Sequence, residues 1–481
     1  MAGTVRYVLA AAVKFLSSKQ GFIWLDGLQE TFGKSAEDIL VVQSEISQWT
    51  SHFDGSQIPN LSGFVLKAYR REIQQPMDGN SPDTLRTLNA LTRLGTLSQA
   101  TGNFAEAEEQ YFRVAGFRNQ VSASHPDNLR ATRNLATVFR DQGRYDEAAK
   151  LYSEVLINTE RVFGPDHLDT LQTVEGLANI YQDEGRYREA EVMYLRVLAG
   201  REKELGLEHL DTLRTVRNLG NLYRAQGKYE EAEMGLNQVL KGLEQNLGLE
   251  HPDTLRTIDN LASTKQNMGK YSAAEPLYRK TLQLRETVLG EEHPDTLMSM
   301  NNLAHLYESQ GKYEAAEPLY EVTLRLREKV LGAEHPQTLT SVNNLAHLYK
   351  SQGKYADAEA MNRQTLAIQE EVLGKTHPST LTTMSNLALV LRRQGKYADA
   401  EAMNRQTLKI REEVLGKTHP STLTTMGNLA LVLSRQGKYP EAEAMNRQTL
   451  EILEEVLGKT HPDTLTTISN LAGVLLIRSR P

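Results

Sequence analysis

Over most of the chain, apolar and small residues return in steps of three and four, and glycine breaks the pattern at fixed intervals. The stretch 293–332 shows the rule. Leu297, Met300, Leu303, Ala304 and Tyr307 keep helical spacing. Gly311 ends that series, since glycine takes a left-handed turn without a Cβ clash. A second apolar series follows through Tyr313, Ala316, Tyr320, Leu324 and Val330, and closes at Leu331-Gly332. His335-Pro336 then begins the next unit; proline suits a first helical turn, where its missing N–H costs nothing. The pattern predicts an all-α chain of paired helices.

The pairs repeat strictly. The glycine recurs at Gly102, Gly143, Gly185, Gly227, Gly269, Gly311, Gly353, Gly395 and Gly437, with a spacing of 42 residues from Gly143 onward. Two places later there is always an aromatic, from Phe104 to Tyr439, and five places later always an alanine, from Ala107 to Ala442. Antiparallel helices approach closely only where one presents a small side chain, so the alanine column predicts tight hairpins with aromatics packed beside them. A fixed period in this range marks stacked repeats, each burying its neighbour's apolar face. We expect this array over residues 83–477, as nine helix pairs plus a final single helix, with 478–481 as a tail. Residues 1–82 do not join the register. Helical spacing at Val5 to Leu16, after Ser35, and from Phe64 to Ile73 predicts a small N-terminal helical cap, with Trp24 and Trp49 inside it.

The order Ala304, Tyr307, Gly311, Tyr313, Ala316, Tyr320 resembles the tetratricopeptide repeat. The longer period and the phrase AEPLYEVTLRLREKVLGAEHPQTLTSVNNLAHLY are similar to the kinesin-light-chain type of that repeat. The resemblance covers residues 83–477 and implies a right-handed α-solenoid, the first helix of each pair lining a concave groove. It fails over residues 1–80. A kinesin light chain would carry a long heptad segment there, and no sustained apolar heptads occur.

Composition narrows the function. A net charge of -7 over 481 residues argues against a general nucleic-acid binder. The absence of cysteine excludes disulfides, thiolate metal sites and cysteine nucleophiles, and fits a cytoplasmic protein. No apolar run reaches the roughly 18 residues of a membrane span, so no membrane insertion is expected.

One column on the first helices is chemically unusual: Asn134, Asn218, Asn260, Asn302, Asn344, Asn386, Asn428 and Asn470. Gly176 and Arg93 hold the same place in the other units. A carboxamide offers a donor and an acceptor, as a peptide backbone does, so the column predicts a ladder holding an extended peptide. The alternative is that each asparagine bonds a neighbouring turn. Helical spacing puts the residues four before, one before, three after and six after each asparagine on its side. These include Arg130, Arg133, Arg214, Arg217, Asn221, Arg256, Asn301 with His305, and Asn343 with His347. The early arginines suit an acidic peptide, because guanidinium pairs with carboxylate in a forked geometry. Arg392, Arg393 and Arg435 form a second basic patch.

Other motifs carry no chemistry. Gly374-Lys375-Thr376 mimics the end of a phosphate loop, but Gln369 stands where a glycine is required. Nine histidines recur in the inter-repeat loops, too far apart to converge on a metal, and are read as helix starts. We therefore expect no catalytic residue, metal or cofactor, and read the chain as a non-enzymatic scaffold or adaptor for protein or peptide partners. A second reading is an accessory or sensor component of a larger signalling or biosynthetic system. A third is an enzyme with an unrecognised groove site.

Overall fold

The computed structural model describes residues 103–119 and 126–479, with parts of 91–99. The cap expected over 1–82 lies outside the described residues, as does Arg93. The described residues of 91–99 are helical, and helix α1 (Phe104–Asn119) follows them. Eight complete hairpins follow among the described residues. Layer 1 is α2 (Pro126–Asp141) with α3 (Tyr145–Phe163), and layer 2 is α4 (Leu168–Asp183) with α5 (Tyr187–Leu205). Layer 3 is α6 (Leu210–Ala225) with α7 (Tyr229–Leu247), and layer 4 is α8 (Pro252–Asn267) with α9 (Tyr271–Leu289). Layer 5 is α10 (Pro294–Ser309) with α11 (Tyr313–Leu331), and layer 6 is α12 (Pro336–Ser351) with α13 (Tyr355–Val372). Layer 7 is α14 (Pro378–Arg393) with α15 (Tyr397–Val414), and layer 8 is α16 (Pro420–Arg435) with α17 (Tyr439–Val456). A single helix, α18 (Pro462–Arg478), is the last among the described residues.

Each layer is built as its residues require. The alanines from Ala107 to Ala442 are all fully buried. In the middle of the stack Ala274, Ala304 and Ala316 share one core with Tyr278, Tyr307 and Tyr320. From layer 2 onward the first helices start on the recurring histidine, whose Nδ1 accepts from the backbone N–H two residues on, as His293 does from Asp295 at 3.1 Å. The following threonine ties the loop: Thr296 Oγ1 donates to the Gly290 carbonyl at 2.8 Å. A row of pairs then clasps consecutive layers, such as Lys354 to Glu317 at 2.9 Å and Lys396 to Glu359 at 2.8 Å. Such partly exposed pairs contribute roughly 0–1 kcal/mol each.

The stack also meets itself. His377 Nε2 lies 3.1 Å from the Asp141 carbonyl, His419 Nε2 2.8 Å from the Asp183 carbonyl, and His461 Nε2 3.4 Å from the Ala225 carbonyl. Each contact spans 236 residues. The starts of layers 7 and 8 and of α18 thus rest on the turns of layers 1, 2 and 3, six layers earlier. The superhelix completes a turn in that distance, and successive turns touch along a seam. Glycine makes the approach possible: a Cβ on Gly185 would fall 2.2 Å from Pro420 Cδ, and one on Gly143 would fall 2.3 Å from Pro378 Cδ. Across the same seam Arg188 donates to the Glu455 carbonyl at 3.2 Å.

Candidate functional site

Consecutive first helices touch one another directly, α12 against α14 and α2 against α4 for example, which puts them on the inside of the curve. The accessible stripe on these helices runs through the residues four before, at, three after and seven after each asparagine. On α10 that is Met298, Asn302, His305 and Ser309. The asparagine column therefore occupies the middle of the concave face, half-exposed in every layer where it occurs.

Its amides divide into two groups. Asn218 donates to Glu175 at 3.1 Å, and Asn344 donates to Asn301 at 2.8 Å, each reaching the preceding layer. The side-chain amides of Asn134, Asn260, Asn302, Asn386, Asn428 and Asn470 make no hydrogen bond among the described residues. The gap at Gly176 has a steric cause: a Cβ there would sit 2.2 Å from the Tyr152 ring.

The flanking columns depart from expectation. The residue one before the asparagine turns 100° out of the stripe, and in layers 3, 4, 6 and 7 it is buried in the contact between layers. Arg217 is buried and bonds Asp253 at 2.9 Å, and Asn343 is buried and donates to Thr383 Oγ1 at 2.8 Å. Both are corrected from groove contacts to interlayer ties. The other early arginines are also largely engaged. Arg133 donates to the Asp169 carbonyl at 3.3 Å, and burial lowers its pKa. Arg214 lies 2.9 Å from Asp211 and 3.5 Å from Glu175. Arg256 is exposed, 3.8 Å from Asp253, and Arg130 is exposed. Asn221 is half-buried, with its Oδ1 unpartnered. The face read as an acid receptor is thus mostly neutralised by the chain's own carboxylates and carbonyls.

The groove histidines link layers. His305 Nδ1 meets Gln266 at 2.9 Å, and His347 Nδ1 meets Glu308 at 2.7 Å. Burial lowers the pKa of His305. Burial pushes Glu308 up, but hydrogen bonds from His347, Ser351 and Tyr320 outweigh it and hold the carboxyl below its ordinary value. Further along lies a run of cations: Lys350, Arg392, Arg393 and Arg435. Lys350 is brought down to about 8, first by burial and then by Arg393 and Arg392, with Glu308 opposing. Burial and then the charges of Arg393 and Arg435 lower Arg392.

A further column, on the second helices, was not singled out from the pattern. Arg201, Arg285, Arg327 and Arg411 are all buried, and each reaches the next layer's first helix. Comparing each with the residue 26 positions earlier would have found it, since that residue is Glu175 or Asp259 in two cases. No group of three or more histidine, aspartate or glutamate side chains is placed to hold a metal among the described residues. No described helix is long and apolar enough to cross a membrane.

Comparison with known proteins places this geometry. A tetratricopeptide-repeat profile matches residues 127–203, 171–245, 211–287, 253–329, 320–371, 340–413, 379–455 and 421–481, and a second one matches 92–161. No curated protein matches. Among solved structures, the putative kinesin light chain nearly identical TPR-like repeats of Podosopora anserina are 30% identical, over 43% of this chain and 97% of that one, with a TM-score of 0.37. BtubC (BKLC) from P. vanneervenii is 23% identical, over 50% of this chain and 93% of that one, with a TM-score of 0.37. A Rap protein complexed with Competence and Sporulation Factor is 12% identical, over 82% of this chain and 99% of that one, with a TM-score of 0.47. With profile matches running through most of its length, the chain belongs to the tetratricopeptide-repeat family, whose fold serves as a scaffold for protein interaction.

Proposed function

We propose that the chain holds an extended polypeptide along its concave face and that the asparagine column grips the ligand's main chain. One observation carries this reading: six asparagine amides stand half-exposed there without a hydrogen bond among the described residues. Each amide offers both a donor and an acceptor, which matches a peptide unit. Packed helices stand about 8–10 Å apart, so one asparagine meets roughly every third residue of an extended chain. The grip is indifferent to ligand side chains, and the variable neighbours His305, His347, Arg256 and Arg393 supply selectivity. The role needs no catalytic residue, metal or cofactor, and we place it in the cytoplasm.

The test is fluorescence anisotropy with a library of labelled peptides. Asn302→Ala, Asn386→Ala and Asn428→Ala together remove three free amides without touching a tie between layers. At about 1 kcal/mol per hydrogen bond, affinity for every bound peptide falls by on the order of 100-fold. Unchanged affinities across the library would remove the reading.

A further inference from the structure

Four layers carry the same buried arginine in the same setting, and the carboxylate beside it is present in only two. Arg201 bonds the Asp211 carbonyl at 3.2 Å and Thr215 Oγ1 at 2.6 Å. Arg285 bonds the Asp295 carbonyl at 3.0 Å and Ser299 Oγ at 2.6 Å. Arg327 bonds the Gln337 carbonyl at 2.9 Å and Ser341 Oγ at 2.8 Å. Arg411 bonds the Ser421 carbonyl at 2.8 Å and Thr425 Oγ1 at 2.6 Å. In layers 2 and 4 a counter-charge is supplied from within, by Glu175 at 2.8 Å from Arg201 and Asp259 at 2.6 Å from Arg285, although Arg285 Nε stays without a partner. In layers 5 and 7 the equivalent residues are Asn301 and Ser385, and neither reaches the guanidinium. Asn301 accepts from Asn344, and Ser385 donates back to the Leu381 carbonyl at 3.1 Å.

A buried guanidinium without a counter-charge is costly, because arginine keeps its proton under all ordinary conditions. Arg411 is only 5% exposed; its Nε is buried without a partner, as is that of Arg285, but no carboxylate among the described residues pairs with it as Asp259 does with Arg285. Burial alone brings its pKa down to about 10. The same side chain lines a cavity of about 200 Å³ with Thr382, Ser421, His419, Tyr145 and Asp183. Thr382 belongs to the exposed stripe of the concave face, so the cavity adjoins the proposed peptide path. The one acid in its wall, Asp183, already lies 3.5 Å from Arg140.

We propose that Arg411 is a receptor for a carboxylate from outside the chain, an acidic side chain of the groove-bound polypeptide, which takes the place that Asp259 fills for Arg285. Acid selectivity then sits chiefly in the late layers, where the counter-charge is missing, rather than among the largely engaged early arginines. This rests on the groove reading for the source of the carboxylate, but the receptor itself stands without it.

The experiment uses the full chain, a peptide of serine and glutamate, its glutamine counterpart, and acetate. Wild type prefers the glutamate peptide by roughly tenfold or more, the worth of one charge-assisted hydrogen bond. Ser385→Asp supplies the carboxylate from within, raises the melting temperature and brings the preference to about one. Arg411→Gln also abolishes it, and melting curves verify that both variants fold. Equal preference in all three proteins would overturn the proposal. If neither peptide binds, acetate decides. Stabilisation of wild type but not of Ser385→Asp, relative to chloride at equal ionic strength, keeps the receptor and shows that its carboxylate is a free small molecule. No difference between acetate and chloride overturns the receptor too.

Discussion

Layers 2 and 4 differ from layers 5 and 7 at one critical side chain in each. The arginine, its backbone acceptor and its hydroxyl acceptor are the same in all four. Glu175 and Asp259 close the charge in the first two, while Asn301 and Ser385 leave it open in the others. A repeat protein can therefore keep one geometry and still change what a layer does. Where the charge is closed the arginine is a staple between layers. Where it is open the same arginine still ties to the next layer, but it holds a charge that a ligand can complete.

The largest expected effect comes from opening a closed layer. Asp259→Asn leaves Arg285 as unpaired as Arg327 and lowers stability by about 3 kcal/mol in chemical denaturation, since breaking a buried pair strands the other charge. A loss no larger than that of a surface substitution would show that the closed layers gain nothing from their acid. The pair is not free of cost, for burial pushes Asp259 up to about 6 against the pull of Arg285.

The next effect separates the seam from the uncovered turns. Gly185 and Gly311 have nearly the same left-handed backbone, with φ of 73° and 74°. A Cβ at Gly185 meets Pro420, while one at Gly311 meets nothing within 4 Å. Alanine at either site bears the backbone penalty of about 1 kcal/mol. Gly185→Ala adds roughly 1–3 kcal/mol of overpacking and widens the molecule in solution scattering. Equal stability and equal radius for the two variants would mean that the turns do not touch in solution.

A smaller effect sharpens the comparison from the open side. Arg327→Met removes an uncompensated buried charge and changes stability by less than about 1.5 kcal/mol, far less than Asp259→Asn, as the same melts will show.

The smallest effect is with pH. His377 and His419 accept at Nδ1 from Ser379 and Ser421 and donate from Nε2 across the seam, so they act as neutral rings. Burial lowers the pKa of both, against the hydrogen bonds to Asp141 and Asp183. A depressed histidine stabilises fully above its unfolded value near 6.5, and the contribution is lost as pH falls through the folded value. Asp183 acts in the opposite sense. Burial pushes it up to about 6, so its contribution is present below 3.8 and fades as pH rises through 6. The double variant His377→Gln with His419→Gln isolates the histidine part. Wild type loses more stability than the variant between pH 7.5 and 5.5, and parallel curves would refute the assignment.

Much of the fold could be read directly, because it repeats local rules. The alanine column named the tight contacts, and all nine alanines are fully buried. The recurring histidines were read as helix starts, and those from His167 to His461 cap the first helices through Nδ1. The asparagine column was placed on the accessible side of the first helices, where it lies. The reading failed one residue away. Arg217 and Asn343 were given to the groove, but a turn of 100° per residue carries them into the layer contact. Periodicity locates a stripe without stating how wide it is, since width depends on how closely the neighbouring layer approaches.

The residues alone determined the hairpin, its period and its stacking, because each follows from contacts within 42 residues of chain. The tertiary structure alone decided that His419 would reach Asp183 and that Arg411 would line a cavity beside it. Those groups come together only through the accumulated rotation of six layers, a sum of small angles that no local pattern of residues records.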